Sequence, residues 1–152
     1  MATANVKLVQ SIYTALAGGD LPAAVEALDP DVVWVEPRAE GLPFAGTHHG
    51  REAVVSGVFA TVPETWEEFR VEPDEFLGDG EAVVAIGTFH ARTGGRTLEA
   101  PFAHVWRVRG GLAAEFHDYT DTAAFLTALG APVGAASTPT TGAHGAAWRM
   151  IP

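Results

Sequence analysis

Apolar residues recur at helical spacing over residues 4–17. Val6, Val9, Ile12, Tyr13 and Leu16 share one face, and Lys7, Gln10 and Thr14 fall elsewhere. Gly18-Gly19 ends that helix. Asp20 is placed to cap a short second helix with Pro22 in its first turn; Val25 and Leu28 give it an apolar side, and Pro30 bounds it. Val32 to Glu36 is β-branched and aromatic, which predicts a strand. The Gly- and Pro-containing stretch from Pro37 to His49 predicts a loop. Helical spacing returns over 50–62 with Val54, Val55, Val58, Phe59 and Val62, against the low helix propensity of Gly57.

From there the period shortens. Strands are expected near 66–77, 81–92, 98–109 and 112–120. Gly78-Asp79-Gly80, Thr93-Gly94-Gly95 and Gly110-Gly111 are the turns between them. Connections this short make antiparallel hairpins. A last helix is expected over 121–129, capped by Asp121 or Thr120. Helices segregated from a run of antiparallel strands give an α+β fold in one domain over residues 1–129, with helices on one face of a curved, cone-forming sheet. A cone of this kind is a place to hold a ligand. Residues 130–152 are rich in Gly, Ala, Pro and Thr and read as a flexible tail. Its apolar end, Trp148-Arg149-Met150-Ile151, reads either as a frayed terminus or as a plug for the cone.

Composition narrows the function classes. The 152 residues, 47% of them hydrophobic, are enough for one well-buried core. With no cysteine, disulfides, thiolate metal sites and thiol nucleophiles are excluded. A net charge of -10 repels phosphate backbones and anionic lipid, so neither nucleic acid nor membrane is an expected partner. No apolar run approaches the ~20 residues that span a bilayer. No basic start leads into an apolar leader segment, so a cytoplasmic location is expected.

Strand alternation assigns faces. His104, Trp106 and Val108 share one face of their strand, and Val105, Arg107 and Arg109 the other. On the next strand Leu112, Ala114, Phe116 and Asp118 oppose Ala113, Glu115, His117 and Tyr119. The apolar faces belong to the core, so His104 and Asp118 are expected on the same inner face of adjacent strands. A buried Asp needs a partner. An Asp–His pair in an apolar pocket is either a self-satisfied structural pair or proton-transfer machinery. Glu36, at a strand end on the side of Trp34, is a candidate base or a solvated terminal residue. Tyr13 is a core residue or a hydroxyl donor reaching the pocket. His90 and His117 are expected on the outer face, and His48-His49 in a loop at the rim. No motif with metal-ligand spacing is present, so no metal or other cofactor is expected.

Three stretches resemble the SnoaL-like, nuclear transport factor 2-like superfamily. They are Ile12 to Asp20; Val33-Trp34-Val35-Glu36-Pro37 followed by Gly46 to Val54; and His104 to Gly111 running into Glu115 to Asp121. The resemblance covers residues 4 to about 129. It implies a cystatin-like α+β barrel, in which a mixed, mostly antiparallel sheet carries three to four helices on its concave face, and a homodimer. Of the ketosteroid isomerase roles, Glu36 falls at the base, whereas Ile12 stands at the Tyr position and His104 at the Asp position. Of the limonene-type epoxide hydrolase roles, Asp118 before Tyr119 matches the last Asp, whereas the Arg and Asp positions fall near Gly87 and Phe89. The polyketide cyclase pattern, an acid/base Asp on the last strand and a His on the strand before it, is met by Asp118 and His104.

Taken together, the residues and the resemblance imply a cofactor-independent cyclase, isomerase or lyase acting on a small apolar carbonyl compound. Asp118 would be the general acid/base. His104 would polarise the carbonyl or orient Asp118. Glu36 would be a second acid/base group and Tyr13 a hydrogen-bond donor. Trp34, Phe89, Phe102, Trp106 and Phe116 would line the cavity. The same cone without turnover would be a small-molecule-binding or interaction module.

Overall fold

The computed structural model describes residues 2–133, and most of the expected tail, with Trp148 to Ile151, lies outside the described residues. Helix α1 (Ala2–Ala17) turns Val9, Ile12 and Tyr13 into the core. Helix α2 (Leu21–Glu26) starts at Asp20, whose Oδ1 accepts the Ala23 N–H at 3.2 Å. Pro22 occupies its first turn, where a missing N–H costs nothing.

Two expectations for the next stretch give way to pairing. The second helix does not continue to Leu28. That residue instead opens strand β1 (Leu28–Glu36) and pairs in parallel with Ala113. The register slips between Leu28 and Val33, which takes Pro30 out of a ladder to which it has no N–H to give. The side chain of Arg51 donates to the carbonyls of Leu28 at 2.9 Å and Glu26 at 3.2 Å, so this junction leaves neither acceptor orphaned. Downstream, the expected loop ends in a short strand, β2 (Gly46–His49), antiparallel to β1 with Trp34 opposite His48. Four residues without apolar alternation become a strand because β1 offers a free edge.

The helix expected over 50–62 is three pieces: α3 (Gly50–Val54), a π-helical turn (Val55–Phe59) and α4 (Thr61–Thr65). Gly57 lies in the wide turn against the imidazole of His48, where a Cβ would come within 2.5 Å of Nδ1. The missing side chain is what lets β2 and this helical stretch close on each other.

Strands β3 (Glu68–Asp79), β4 (Ala82–Thr93), β5 (Arg96–Arg109) and β6 (Leu112–Thr120) are consecutive antiparallel hairpins, near the ranges the period-2 pattern predicts. Helix α5 (Thr122–Leu129) is capped by Asp121, whose Oδ1 accepts from Ala124 N at 3.1 Å, and it ends on Gly130 in the left-handed region. Thr120, the other candidate cap, donates instead to the carbonyl of Pro101 at 2.8 Å.

The six strands form one sheet in the order β2-β1-β6-β5-β4-β3, antiparallel except for the β1–β6 pair. This is the mixed, mostly antiparallel α+β architecture expected, with four helical stretches on its concave side. Irregular registers between Leu28 and Val33, between Pro73 and Glu75, and between Arg107 and Val108 mark where strands bend. No helix among the described residues is long and apolar enough to cross a membrane.

The bend of β3 depends on one missing side chain. Gly87 of β4 faces Pro73, and a Cβ there would meet the Glu72 carbonyl oxygen and Pro73 Cα, both backbone atoms, as well as the Phe102 ring at 2.7 Å. Backbone cannot swing aside as a side chain does. Gly87→Ala should therefore lower stability by about 1–3 kcal/mol, as overpacking does. A denaturant titration with an unchanged midpoint would show that β3 is free to move away.

Candidate active site

Three polar residues stand out in the core. Glu36, His104 and Asp118 are 6%, 3% and 7% exposed, and every other buried side chain among the described residues is apolar or aromatic. They arrive from three adjacent strands. Phe116 is in parallel register with Trp34, and His104 is directly opposite Asp118. Glu36 and Asp118 each lie two residues beyond the Trp34–Phe116 pair, on the same side of the sheet. Alternation therefore delivers two carboxyls and one imidazole to a single spot.

A chain of polar contacts threads that spot. Trp34 Nε1 donates to Glu36 Oε1 at 2.7 Å. On the other side, Trp106 Nε1 donates to the Tyr13 hydroxyl at 3.0 Å, and that hydroxyl lies 2.6 Å from His104 Nδ1. His104 Nε2 is 3.1 Å from Asp118 Oδ1, off the line of a well-aligned hydrogen bond. The result is that Glu36 Oε2, His104 Nε2 and Asp118 Oδ1 are all buried without an aligned partner among the described residues. His104 Nε2 and Asp118 Oδ1 nonetheless lie beside each other, and a hydrogen bond between Glu36 and Asp118 helps to raise Glu36, so the three groups form one connected cluster.

Aromatic rings hold the imidazole in place. Phe102 stacks on His104 with ring centres 3.9 Å apart, and Phe116 meets it edge-on at 4.8 Å. Burial holds His104 below the usual histidine range, against the opposing pull of Asp118. Burial also raises Glu36 well above the usual carboxyl range, and the negative charge of Asp118 raises it further; the Trp34 hydrogen bond opposes both. Tyr13 is raised above the usual phenol range, again chiefly by burial. Both shifts favour the uncharged form, a neutral imidazole on His104 and a carboxylic acid on Glu36.

These groups face a cavity of about 570 Å³. Tyr13, Trp34, Phe89 and Phe116 border it with the three polar residues. Phe102 and Trp106 do not border it; they stand one layer behind, Phe102 against His104 and Trp106 against Tyr13, because the rings in front of them fill the first layer. Much of the wall carries no signal in strand alternation. Phe44 comes from the loop before β2, Trp66 from the end of α4, Phe69 from β3 and Phe125 from α5. Val58, Phe59 and Val62 reach it from the helical stretch whose spacing marked them as apolar.

The other histidines among the described residues lie elsewhere. His90 contacts Glu72 Oε2 at 3.2 Å on the outer face, His117 stacks beside Tyr119, and His48 donates from Nε2 to the Phe44 carbonyl at 2.9 Å. Among the described residues no group of three or more His, Asp or Glu is arranged to hold a metal ion.

The raised Glu36 gives a signed stability test. A group whose folded-state value lies above its unfolded one contributes fully below the unfolded value, near 4.5 for this carboxyl, and its contribution is lost as pH rises through the folded value. Glu36→Gln keeps an oxygen for the Trp34 N–H and removes the titration. Its melting temperature relative to the parent chain should climb as the pH rises from about 5 towards 8. A difference independent of pH would mean that Glu36 is not held as a buried acid.

Residues 9–116 match the family model described as a SnoaL-like domain. An NTF2-like protein of unknown function from Burkholderia pseudomallei is 36% identical over 84% of this chain and 98% of its own, with a TM-score of 0.79. TerC, co-crystallised with polyporic acid, is 29% identical over 84% of this chain and 99% of its own, with a TM-score of 0.78. A putative SnoaL-like polyketide cyclase from Jannaschia shares the fold at 19% identity and a TM-score of 0.73, over 86% of this chain and 94% of its own. No curated protein matches the chain. With a family model spanning most of the sequence and solved NTF2-like structures aligning along nearly their whole length, the chain belongs to the SnoaL-like family of the NTF2-like superfamily.

Proposed function

We propose that this protein is a cofactor-independent acid–base enzyme, of the cyclase, isomerase or lyase kind, acting on a small apolar carbonyl compound. The observation that carries the reading is the convergence of Glu36, His104 and Asp118, the three buried polar residues among those described, on the lining of an apolar cavity of about 570 Å³. Such a lining suits a small molecule with one polar group and an otherwise apolar surface.

The chemistry follows from the protonation states. Asp118 removes a proton from the carbon beside the carbonyl while Glu36, a carboxylic acid, gives its proton to the carbonyl oxygen. The C–H electron pair becomes the enol double bond, and no free enolate charge has to survive in an apolar cavity. In the second half the Glu36 carboxylate takes back the enol O–H proton as the carbonyl re-forms, and the Asp118 proton goes to another carbon, to the oxygen of a second carbonyl to which the enol carbon adds, or to a leaving group expelled from the β carbon. Those outcomes are isomerisation, cyclisation and elimination. Each course returns Glu36 to the acid and Asp118 to the carboxylate. The protein contributes orientation and a matched acid and base.

Polyporic acid, the compound with which TerC was crystallised, is a fitting first binding probe, followed by enolisable apolar ketones. Asp118→Asn should bind as the parent chain does, read by thermal shift, and lose about 10²–10⁴-fold in turnover of whichever ketone is processed. Undiminished turnover in that variant would overturn the assignment of Asp118. Binding without turnover in both forms would leave a ligand-binding module.

We also propose that two copies associate through the outer sheet face. Ile86, Ala103 and Tyr119 fall in one row across β4, β5 and β6, with Tyr119 60% exposed and Ile86 38%. A row of this kind can meet its own copy about a two-fold axis. Tyr119→Glu should then shift the mass seen by light scattering from dimer to monomer. A monomeric parent chain would end the proposal.

A further inference from the structure

We infer that Trp106 and Tyr13 are positioning residues that fix His104 as its Nε2–H tautomer, leaving Asp118 as the site's proton acceptor. The inference rests on the acid–base reading and supplies the reason why Asp118 and not His104 is the base in it.

The direction of each hydrogen bond follows from what each group can do. An indole N–H only donates. Trp106 Nε1 therefore gives its proton to the Tyr13 oxygen at 3.0 Å, and that oxygen is an acceptor. The tyrosine has one proton of its own. Its hydroxyl is buried, and apart from Trp106 its one polar neighbour among the described residues is His104 Nδ1 at 2.6 Å. If Nδ1 carried the proton and donated, the tyrosine O–H would be a buried donor with no acceptor, at a cost of about 1–3 kcal/mol. Tyr13 therefore donates, Nδ1 is bare, and the proton of the neutral ring sits on Nε2.

The far side of the ring agrees. Nε2 lies 3.1 Å from Asp118 Oδ1. A bare nitrogen there would set a lone pair against a carboxylate oxygen at close range; an N–H there is attracted to it. Both ring nitrogens thus favour the same tautomer. The stacked Phe102 ring and the edge of Phe116 resist the ring flip that would reverse them. Proton donation runs one way, from Trp106 to Tyr13 to His104, and the remaining ring N–H lies beside Asp118 Oδ1.

The arrangement has a consequence for catalysis. Nδ1 is occupied by Tyr13 and Nε2 already bears a proton, so neutral His104 has no lone pair free for a substrate proton. Asp118 Oδ1, supported from behind by that N–H, does. Trp106 touches no part of the cavity and acts only through Tyr13, in the way outer-sphere partners orient a catalytic group.

Nitrogen-15 NMR of the whole protein reads this without a substrate. In the parent chain His104 should show a pyridine-type Nδ1 and a protonated, pyrrole-type Nε2. Trp106→Phe frees the Tyr13 oxygen to accept, and Tyr13→Phe removes the donor to Nδ1. Either variant should bring the Nδ1–H form into the spectrum. A protonated Nδ1 in the parent chain would overturn the inference, as would an unaltered His104 tautomer in both variants. Once a turned-over ketone is known, Tyr13→Phe should lower kcat about 10–100-fold with KM little changed. Because the tautomer is observed without turnover, a spectrum as expected with no turnover of any ketone tested would fault the enzyme reading alone.

Discussion

Two carboxyls in an apolar core are the constraint around which this protein is organised. Isolated, each charge would cost far more than a domain's net stability. The structure meets that cost with three devices at once. Burial and the charge of Asp118 favour the protonated form of Glu36, which accepts an indole N–H from Trp34. His104 stands against Asp118. A second indole, Trp106, supplies the far end of the chain through Tyr13. Glu36, His104 and Asp118 all line the cavity. Polar groups at an apolar cavity are what separate a site from a core.

The fold is arranged to allow it. A parallel β1–β6 pair beside the antiparallel β6–β5 pair brings three strands together so that inward positions at Glu36, Asp118 and His104 coincide. Helix α1 then carries Tyr13 across the hollow to the imidazole. The aromatic wall excludes water, which strengthens each electrostatic interaction within and keeps the imidazole neutral. Shape is set by irregularities: slipped registers bend the strands, Gly87 lets β3 approach, and Gly57 makes room for His48.

Membership in the SnoaL-like family places the chain on a scaffold that hosts varied chemistry, so its function is argued from the site. Here the distinguishing feature is that two carboxyls share one apolar site. Glu36 is buried next to another carboxyl's charge, which favours its acid form, and Asp118 stands against the imidazole of His104.

The sequence by itself determined most of the architecture. Alternation and the glycine turns marked β3 to β6, helical spacing marked α1, and a capping residue marked the start of α5. The same alternation set His104 and Asp118 on one inner face, because parity is a local property of extended chain and hairpins bounded by glycine turns hold their register. Only the tertiary structure decided what depends on meeting a distant partner. Leu28 left a helix for a strand because β6 lay beside it, and Gly46–His49 became a strand on the free edge of β1. Phe44, Trp66 and Phe125 joined the cavity wall from a loop and two helix ends, and Trp106 withdrew behind Tyr13. Spacing along a chain reports which side a residue faces; it cannot report which layer of that side the residue reaches, since depth is set by the volumes of side chains contributed from elsewhere.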